Sequence, residues 1–106
     1  YPMEYTSRTI EIRQTDQYIK WFENLADRRA KARIDVRIRR MSLGNFGDVK
    51  PIGEGISELR IDYGPGYRVY FTRKGNQIIV LLAGGDKSTQ DKDIQVARKL
   101  LHEIEV

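Results

Sequence analysis

Leu59-Arg60-Ile61-Asp62-Tyr63-Gly64-Pro65-Gly66-Tyr67-Arg68-Val69-Tyr70-Phe71 alternates apolar and polar residues on either side of a Gly-Pro-Gly turn. Strict alternation is the signature of a strand with one buried face, and the glycines and proline between the two runs mark a hairpin. Leu59, Ile61 and Tyr63 belong on the same side as Tyr67, Val69 and Phe71. Pairing Tyr63 with Tyr67 achieves this. It sets Asp62 across from Arg68, Arg60 across from Tyr70, and Glu58 across from Thr72. A slip by one residue sends the apolar set to solvent. The polar face of the hairpin then carries Arg60, Arg68 and Tyr70.

Downstream, Lys74-Gly75-Asn76-Gln77 is a second turn, and Ile78-Ile79-Val80-Leu81-Leu82-Ala83 is apolar at every position. Such a run reads as a central strand covered on both sides, ended by Gly84-Gly85, with Lys87 near the rim of the hairpin's polar face. A last helix is predicted from about Thr89 to Glu105, with Ile94, Ala97, Leu101 and Ile104 as its core stripe. Upstream, a strand is expected over Glu4 to Ile12, with Ile10 and Ile12 on one face. Thr15 or Asp16 caps a helix reaching Ala26, whose buried stripe is Tyr18, Phe22 and Leu25 with Trp21 beside it. Asp27 caps a second helix reaching about Leu43, with Ala30, Ile34, Ile38 and Met41 as its apolar stripe. Pro51, Gly53 and Gly55 read as loop. The expected fold is α+β in the order βααβββα: a helical hairpin packed on a small, mostly antiparallel sheet, with a C-terminal helix. The 106 residues form one expected domain, 1–106.

Charge is unevenly spread. The net charge is +4, yet Asp27 to Met41 alone holds seven basic and two acidic residues. Arg29, Arg33, Arg37 and Arg40 recur at helical spacing beside the apolar stripe. The stripe reads either as a polyanion-binding surface, for RNA or an acidic partner, or as a solvated helix face. Two arginines, a lysine and a tyrosine on one side of a hairpin suit a phosphodiester. Arginine forks hold two phosphate oxygens, and a tyrosine stacks a base or relays a proton. The alternative is a plain cross-strand Asp62–Arg68 pair.

Other chemistries find no support. There is no cysteine and one histidine, His102, so neither a thiolate nor a zinc site, nor a Ser-His-Asp set, is expected. No metal or cofactor is expected. Gly64-Pro65-Gly66 and Gly84-Gly85 open no phosphate loop. The longest apolar run is too short to span a bilayer, and the N-terminus lacks a signal pattern. The expected location is cytoplasmic.

The stretch from Leu59 to Phe71, followed by Ile79-Val80-Leu81-Leu82-Ala83-Gly84-Gly85-Asp86-Lys87-Ser88-Thr89-Gln90, resembles the HigB-type branch of the RelE/ParE toxin superfamily. The element order and Lys20-Trp21 agree with it. The resemblance implies the RelE-like fold and the toxin of a type II toxin–antitoxin pair, with a cognate antitoxin, the ribosome and mRNA as partners. In the RelE branch it implies an mRNA interferase: a ribose 2′-OH attacks the adjacent phosphate in the ribosomal A site, served by basic residues and a tyrosine. Carried over by position, Arg68, Arg60 and Lys87 fall where that branch keeps basic site residues. Glu58 stands where it has another basic residue, and Asp93 where it has its tyrosine, for which Tyr70 is the spatial substitute. His102 is similar to a C-terminal histidine of some relatives. Two other functions share this fold or sequence: a ParE-like inhibitor of DNA gyrase, which lacks the nuclease site, and a non-catalytic binding module, which the acids Glu58 and Asp93 favour.

Overall fold

A strand flanked by apolar residues on both faces must be covered on both faces, and the chain does this with helices from both ends. The computed structural model describes residues 9–105. In chain order they form β1 (Glu11–Gln14), α1 (Asp16–Glu23), α2 (Arg28–Ser42), β2 (Val49–Gly53), β3 (Ile56–Ile61), β4 (Tyr67–Lys74), β5 (Ile78–Asp86), a 3-10 turn (Lys87–Thr89) and α3 (Gln90–Glu105). The five strands lie in the order β1-β5-β4-β3-β2. β1 runs parallel to β5, and the other pairs are antiparallel. The architecture is the α+β, RelE-like one. Of the strand expected over Glu4 to Ile12, the first part lies outside the described residues; the described strand starts at Glu11, leaving Thr9 and Ile10 outside it, and runs on to Gln14.

The caps explain the helix boundaries. Thr15 Oγ1 accepts from the Tyr18 amide at 3.1 Å, and Asp27 Oδ1 accepts from the Arg29 amide at 2.9 Å. Each satisfies a donor left over in a first turn. α1 stops at Glu23, three residues short of the expected Ala26. The Asn24 amide donates to the Lys20 carbonyl at 3.1 Å and the Leu25 amide to the Phe22 carbonyl at 3.2 Å, which closes the last turn. On one face of the sheet, Tyr18, Ala30, Ile34 and Met41 bury against Leu59, Val69, Phe71, Ile79 and Leu81. On the other, α3 places Ala97 and Leu101 against Ile56, Tyr70, Val80, Leu82 and Ala83. Within the expected stripes, Ile38 and Ile94 are half-buried and Ile104 is exposed.

Three expectations are corrected. Val49–Gly53 is a strand, not a loop: Pro51 is tolerated because β2 is an edge strand. Its register shifts between Pro51 and Gly53, the mark of a bulge. The β3–β4 pairing differs from the expected one by two residues, with Ile61 opposite Tyr67, Arg60 opposite Arg68 and Glu58 opposite Tyr70. A shift of two keeps every side chain on its expected face. The connection is longer than the Gly64-Pro65-Gly66 turn, because the Tyr63 amide bonds back to the Ile61 carbonyl at 3.0 Å and the Gly66 amide to the Tyr63 carbonyl at 3.1 Å. Finally, Gly84 and Gly85 do not end β5 but lie within it. A Cβ on Gly84 would overlap the Trp21 ring, and one on Gly85 would overlap the Asp93 carboxylate. Their missing side chains let α1 and α3 approach the strand from opposite faces.

A bulge between Tyr70 and Phe71 sets this phase. Tyr70 pairs with Ala83 while Phe71 pairs with Leu81, so Leu82 and Ala83 both turn towards α3.

Val80 and Leu82 are buried as expected, with Leu82 at 0 % exposure. Leu82→Ala removes buried methyl groups and leaves a cavity, so it should cost about 2 to 5 kcal/mol. Gly84→Ala should cost about 1 to 3 kcal/mol by forcing the Trp21 ring aside. Thermal and urea unfolding of the two variants checks both, and Trp21 fluorescence should change for Gly84→Ala.

Candidate nucleic-acid interface

The C-terminal end of β3, the start of β4 and the turn after β5 meet at one end of the sheet. Between them lies a groove of about 240 Å³ lined by Arg60, Arg68, Lys87, Asp48, Asp62 and Gly66, with Ile61 and Tyr67. Arg60, Arg68 and Lys87, three of the residues expected to meet, are thus brought together from three separate elements. Arg60 and Arg68 face each other across the β3–β4 ladder, and Arg68 pairs with Gly85 on the β5 side.

Two of these cations already have carboxylate partners. Arg68 Nη1 lies 2.7 Å from Glu58 Oε2, and their side chains are only 14 % and 3 % exposed. Arg60 Nε and Nη2 both donate to Asp48 Oδ1, at 3.1 and 2.7 Å, with side chains 40 % and 52 % exposed. The Asp62–Arg68 pair weighed as an alternative is replaced by Glu58–Arg68. Among the described residues Lys87 forms no ion pair. The Arg60–Asp48 pair is wet and contributes little. The Arg68–Glu58 pair is dry, and each partner keeps the other from being a lone buried charge.

Around that dry pair, polar groups are left over. Glu58 Oε1, Arg68 Nε and the Tyr70 hydroxyl are buried and find no hydrogen-bond partner among the described residues. Tyr70 was expected on an open polar face. It is instead fully buried under α3 and lines neither groove. Burial first, then the nearby Glu58 and Asp93 carboxylates, pushes its phenol above the ordinary tyrosine range. Asp93 lies over Gly85 and accepts from Thr89 Oγ1 at 2.5 Å. Desolvation raises its carboxyl above the usual range, against the lowering effect of the Thr89 bond. His102 is exposed near the end of α3, away from both grooves.

The arginines of α2 do not act alike. Arg29, Arg33, Arg37 and Arg40 all line a second groove of about 520 Å³, with Ala32, Val36, Ile61 and Asp62. Arg37 turns inward: Nη1 donates to the Arg60 carbonyl at 2.7 Å, and Nη2 to the carbonyls of Phe46 and Asp48, each at 3.5 Å. It therefore ties α2 to β3 and to the segment holding Asp48. The Arg33 guanidinium lies over the Tyr63 ring at 4.5 Å. Arg29, Arg33 and Arg40 are exposed. The two grooves adjoin, since Ile61 and Asp62 line both.

Sequence reasoning missed the Glu58–Arg68 pair and the inward turn of Arg37. The first was legible only with the correct register, because Glu58 sits diagonally from Arg68 once Arg60 faces Arg68. The second carried no signal, since the four arginines share one helical spacing.

The family model of the phage-derived Gp49-like proteins (DUF891) matches residues 20–102. An uncharacterized protein of Haemophilus influenzae (strain ATCC 51907 / DSM 11121 / KW20 / Rd) is 51 % identical over 96 residues, covering 91 % of this chain and 97 % of that protein. The matched region contains α2, both grooves and every expected site residue.

Because Glu58 and Arg68 are buried as a pair, removing either alone should be worse than removing both. Glu58→Gln or Arg68→Met leaves an uncompensated buried charge, at a cost of about 3 to 5 kcal/mol. The Glu58→Gln/Arg68→Met double variant should lose less than the sum of the two. Urea unfolding of the four proteins measures the coupling, and simple additivity would show that the pair is not dry.

Proposed function

The chain belongs to the phage-derived Gp49-like family, a RelE/HigB-like toxin family associated with toxin–antitoxin systems, and on that premise we propose that it is a HigB-type toxin that cleaves mRNA on the ribosome. An antitoxin is the partner that membership implies. The proposed toxin works as a single cytoplasmic domain; no helix among its described residues is long and apolar enough to cross a membrane. The observation that carries the reading is the convergence of Arg60, Arg68 and Lys87 on one groove. In the proposed reaction the ribose 2′-oxygen bonds to phosphorus as the bond to the 5′-oxygen breaks. The 2′-OH gives up a proton, and the 5′-oxygen takes one. Negative charge accumulates on the phosphoryl oxygens, and fixed cationic donors stabilise it. Arg68 is the most constrained of the three, because β4 carries its backbone and Glu58 holds its guanidinium. Binding a phosphate means sharing or exchanging that carboxylate.

The same ion pairs favour a second reading, a non-catalytic binding module. A guanidinium neutralised by a buried carboxylate holds phosphate less strongly, and Asp48 does the same to Arg60.

Growth arrest and cleavage of cellular mRNA separate the readings. The Glu58→Gln/Arg68→Met variant keeps the fold while removing the fork, and its cleavage should fall about 10²- to 10³-fold. Arg68→Lys should recover only part of the rate, since lysine lacks the bidentate fork. Arrest at the wild-type level by the folded double variant refutes the catalytic role. Arrest with intact mRNA and blocked DNA synthesis points instead to a gyrase inhibitor. Ribosome affinity gives an independent check on α2. Charge reversal of Arg29 and Arg40 should flatten its salt dependence by a slope of about 0.7 to 0.9 for each phosphate no longer neutralised. An unchanged salt series would show that α2 does not face RNA.

A further inference from the structure

Most of the second groove is not needed to hold the reacting phosphate. Its volume of about 520 Å³ is more than twice that of the first, and it falls in the range that takes a small organic ligand. Its lining has four parts of different chemistry. Ala32, Val36 and Ile61 supply an apolar floor, and Val36 is 46 % exposed although it is a large hydrophobe. Arg33 is held over the Tyr63 ring at 4.5 Å. Arg33 is exposed, so its outer face offers a cationic plane at little ordering cost. Arg29 and Arg40 stand at the rim. Asp62 is exposed and lines both grooves where they join.

We infer that this groove is a base-reading subsite for single-stranded RNA, in which a nucleobase stacks on the Arg33–Tyr63 platform and Asp62 reads its edge, with guanine preferred. The inference rests on the RNA reading above and extends it from phosphate binding to base selection. Stacking on arginine planes and aromatic rings is the usual way single-stranded RNA is held. A carboxylate among arginines opposes phosphate and has no reason to face one. It accepts hydrogen bonds, and guanine presents two parallel donors, N1–H and the 2-amino group, to match its two oxygens. Uracil offers a single such donor. Adenine presents a donor beside an acceptor, which a carboxylate satisfies only by half. An acidic peptide segment is the competing occupant for an arginine-rimmed groove. It is disfavoured because Asp62 stands in the lining and repels it, and because a carboxylate uses only the edge of the Arg33 guanidinium and leaves the platform's face and the apolar floor unused.

The test uses the full chain and tetranucleotides UUGU, UUAU, UUCU and UUUU carrying 2′-O-methyl riboses, which lack the attacking hydroxyl. Binding is thereby separated from cleavage. Affinity is read by fluorescence anisotropy, and position by NMR shifts of the Val36 methyls and the Tyr63 ring. UUGU should bind about 10-fold more tightly than UUUU, within the discrimination a bidentate base contact supplies. Asp62→Asn replaces two acceptors with one acceptor and one donor, and should move the preference from UUGU to UUAU. A purely electrostatic role for Asp62 would instead strengthen all four equally. Arg33→Ala should weaken every tetranucleotide by about 10-fold by removing the stacking plane. Equal affinities for the four RNAs, or an Asp62→Asn variant with the wild-type preference, overturn the inference. So does a decamer of glutamate that shifts Val36 and Tyr63 when the RNAs do not, which would make the groove a protein-docking surface. Unmodified mRNA presented on ribosomes, the substrate of the proposed reaction, tells the two levels apart. Cleavage without base preference sinks this inference alone, and base preference without cleavage supports it while sinking the nuclease reading.

Discussion

Burial of β5 on both faces is the constraint from which the positions of the other elements follow. Ile79 and Leu81 face the helical hairpin, while Val80, Leu82 and Ala83 face α3. Two consecutive residues point the same way only because the ladder bulges between Tyr70 and Phe71. The bulge advances the phase by one residue, and that step puts Gly84 beneath Trp21 and Gly85 beneath Asp93. Both helices can then close on the strand end where a side chain would otherwise hold them off. Since Gly85 is the ladder partner of Arg68, the packing of β5 also decides where Arg68 stands and what roofs it.

The electrostatics of the site differ from those of its composition. A chain with a surplus of basic residues uses several of them internally. Arg37 satisfies backbone carbonyls, Arg68 is bound to a buried carboxylate, and Arg60 to a wet one. Of the basic residues that line the two grooves, those left open are Lys87 beside the first and Arg29, Arg33 and Arg40 around the second. The Glu58–Arg68 pair contributes little net stability, because desolvating two charges offsets most of their attraction. Its physical effect is to fix a guanidinium in one place. The unpartnered Glu58 Oε1, Arg68 Nε and Tyr70 hydroxyl around it are polar capacity that a well-packed core would not keep.

The parts of the fold with a clean period were legible in the sequence. Alternation located β3 and β4 and their buried face, the apolar run located β5, and helical spacing with Thr15 and Asp27 located α1 and α2. What was not legible depends on contacts between distant residues. β2 was hidden by Pro51 and Gly53, whose presence is harmless only at an edge, and the edge is a property of the finished sheet. Gly84 and Gly85 look like a stop signal until Trp21 and Asp93 are seen above them. That Arg60 and Arg68 share a face was legible because it follows from the alternation, and alternation survives a register shift of two; Lys87 was placed at the rim by its position after the apolar run, although that strand runs on to Asp86. Tyr70 shares that face and was misjudged, because the spacing that reveals a face does not reveal that α3 covers it.

The two-residue shift leaves the fold class untouched and alters the site. In the shorter-loop register Arg68 would meet Asp62 at the exposed end of the hairpin, and Glu58 would lie opposite Thr72. In the observed register Glu58 moves next to Arg68, in the interior, and Asp62 is released into the five-residue connection that ends with Gly66. The hydrophobic face cannot distinguish these registers, since both bury Leu59, Ile61, Val69 and Phe71. The connection must therefore decide between them, through the Tyr63 and Gly66 amides and a left-handed Gly64 and Gly66. The same connection carries Tyr63 to Arg33 and Asp62 to the junction of the two grooves. A loop with no fully buried residue of its own thus sets both the charge pairing of Arg68 and the chemistry of the neighbouring groove.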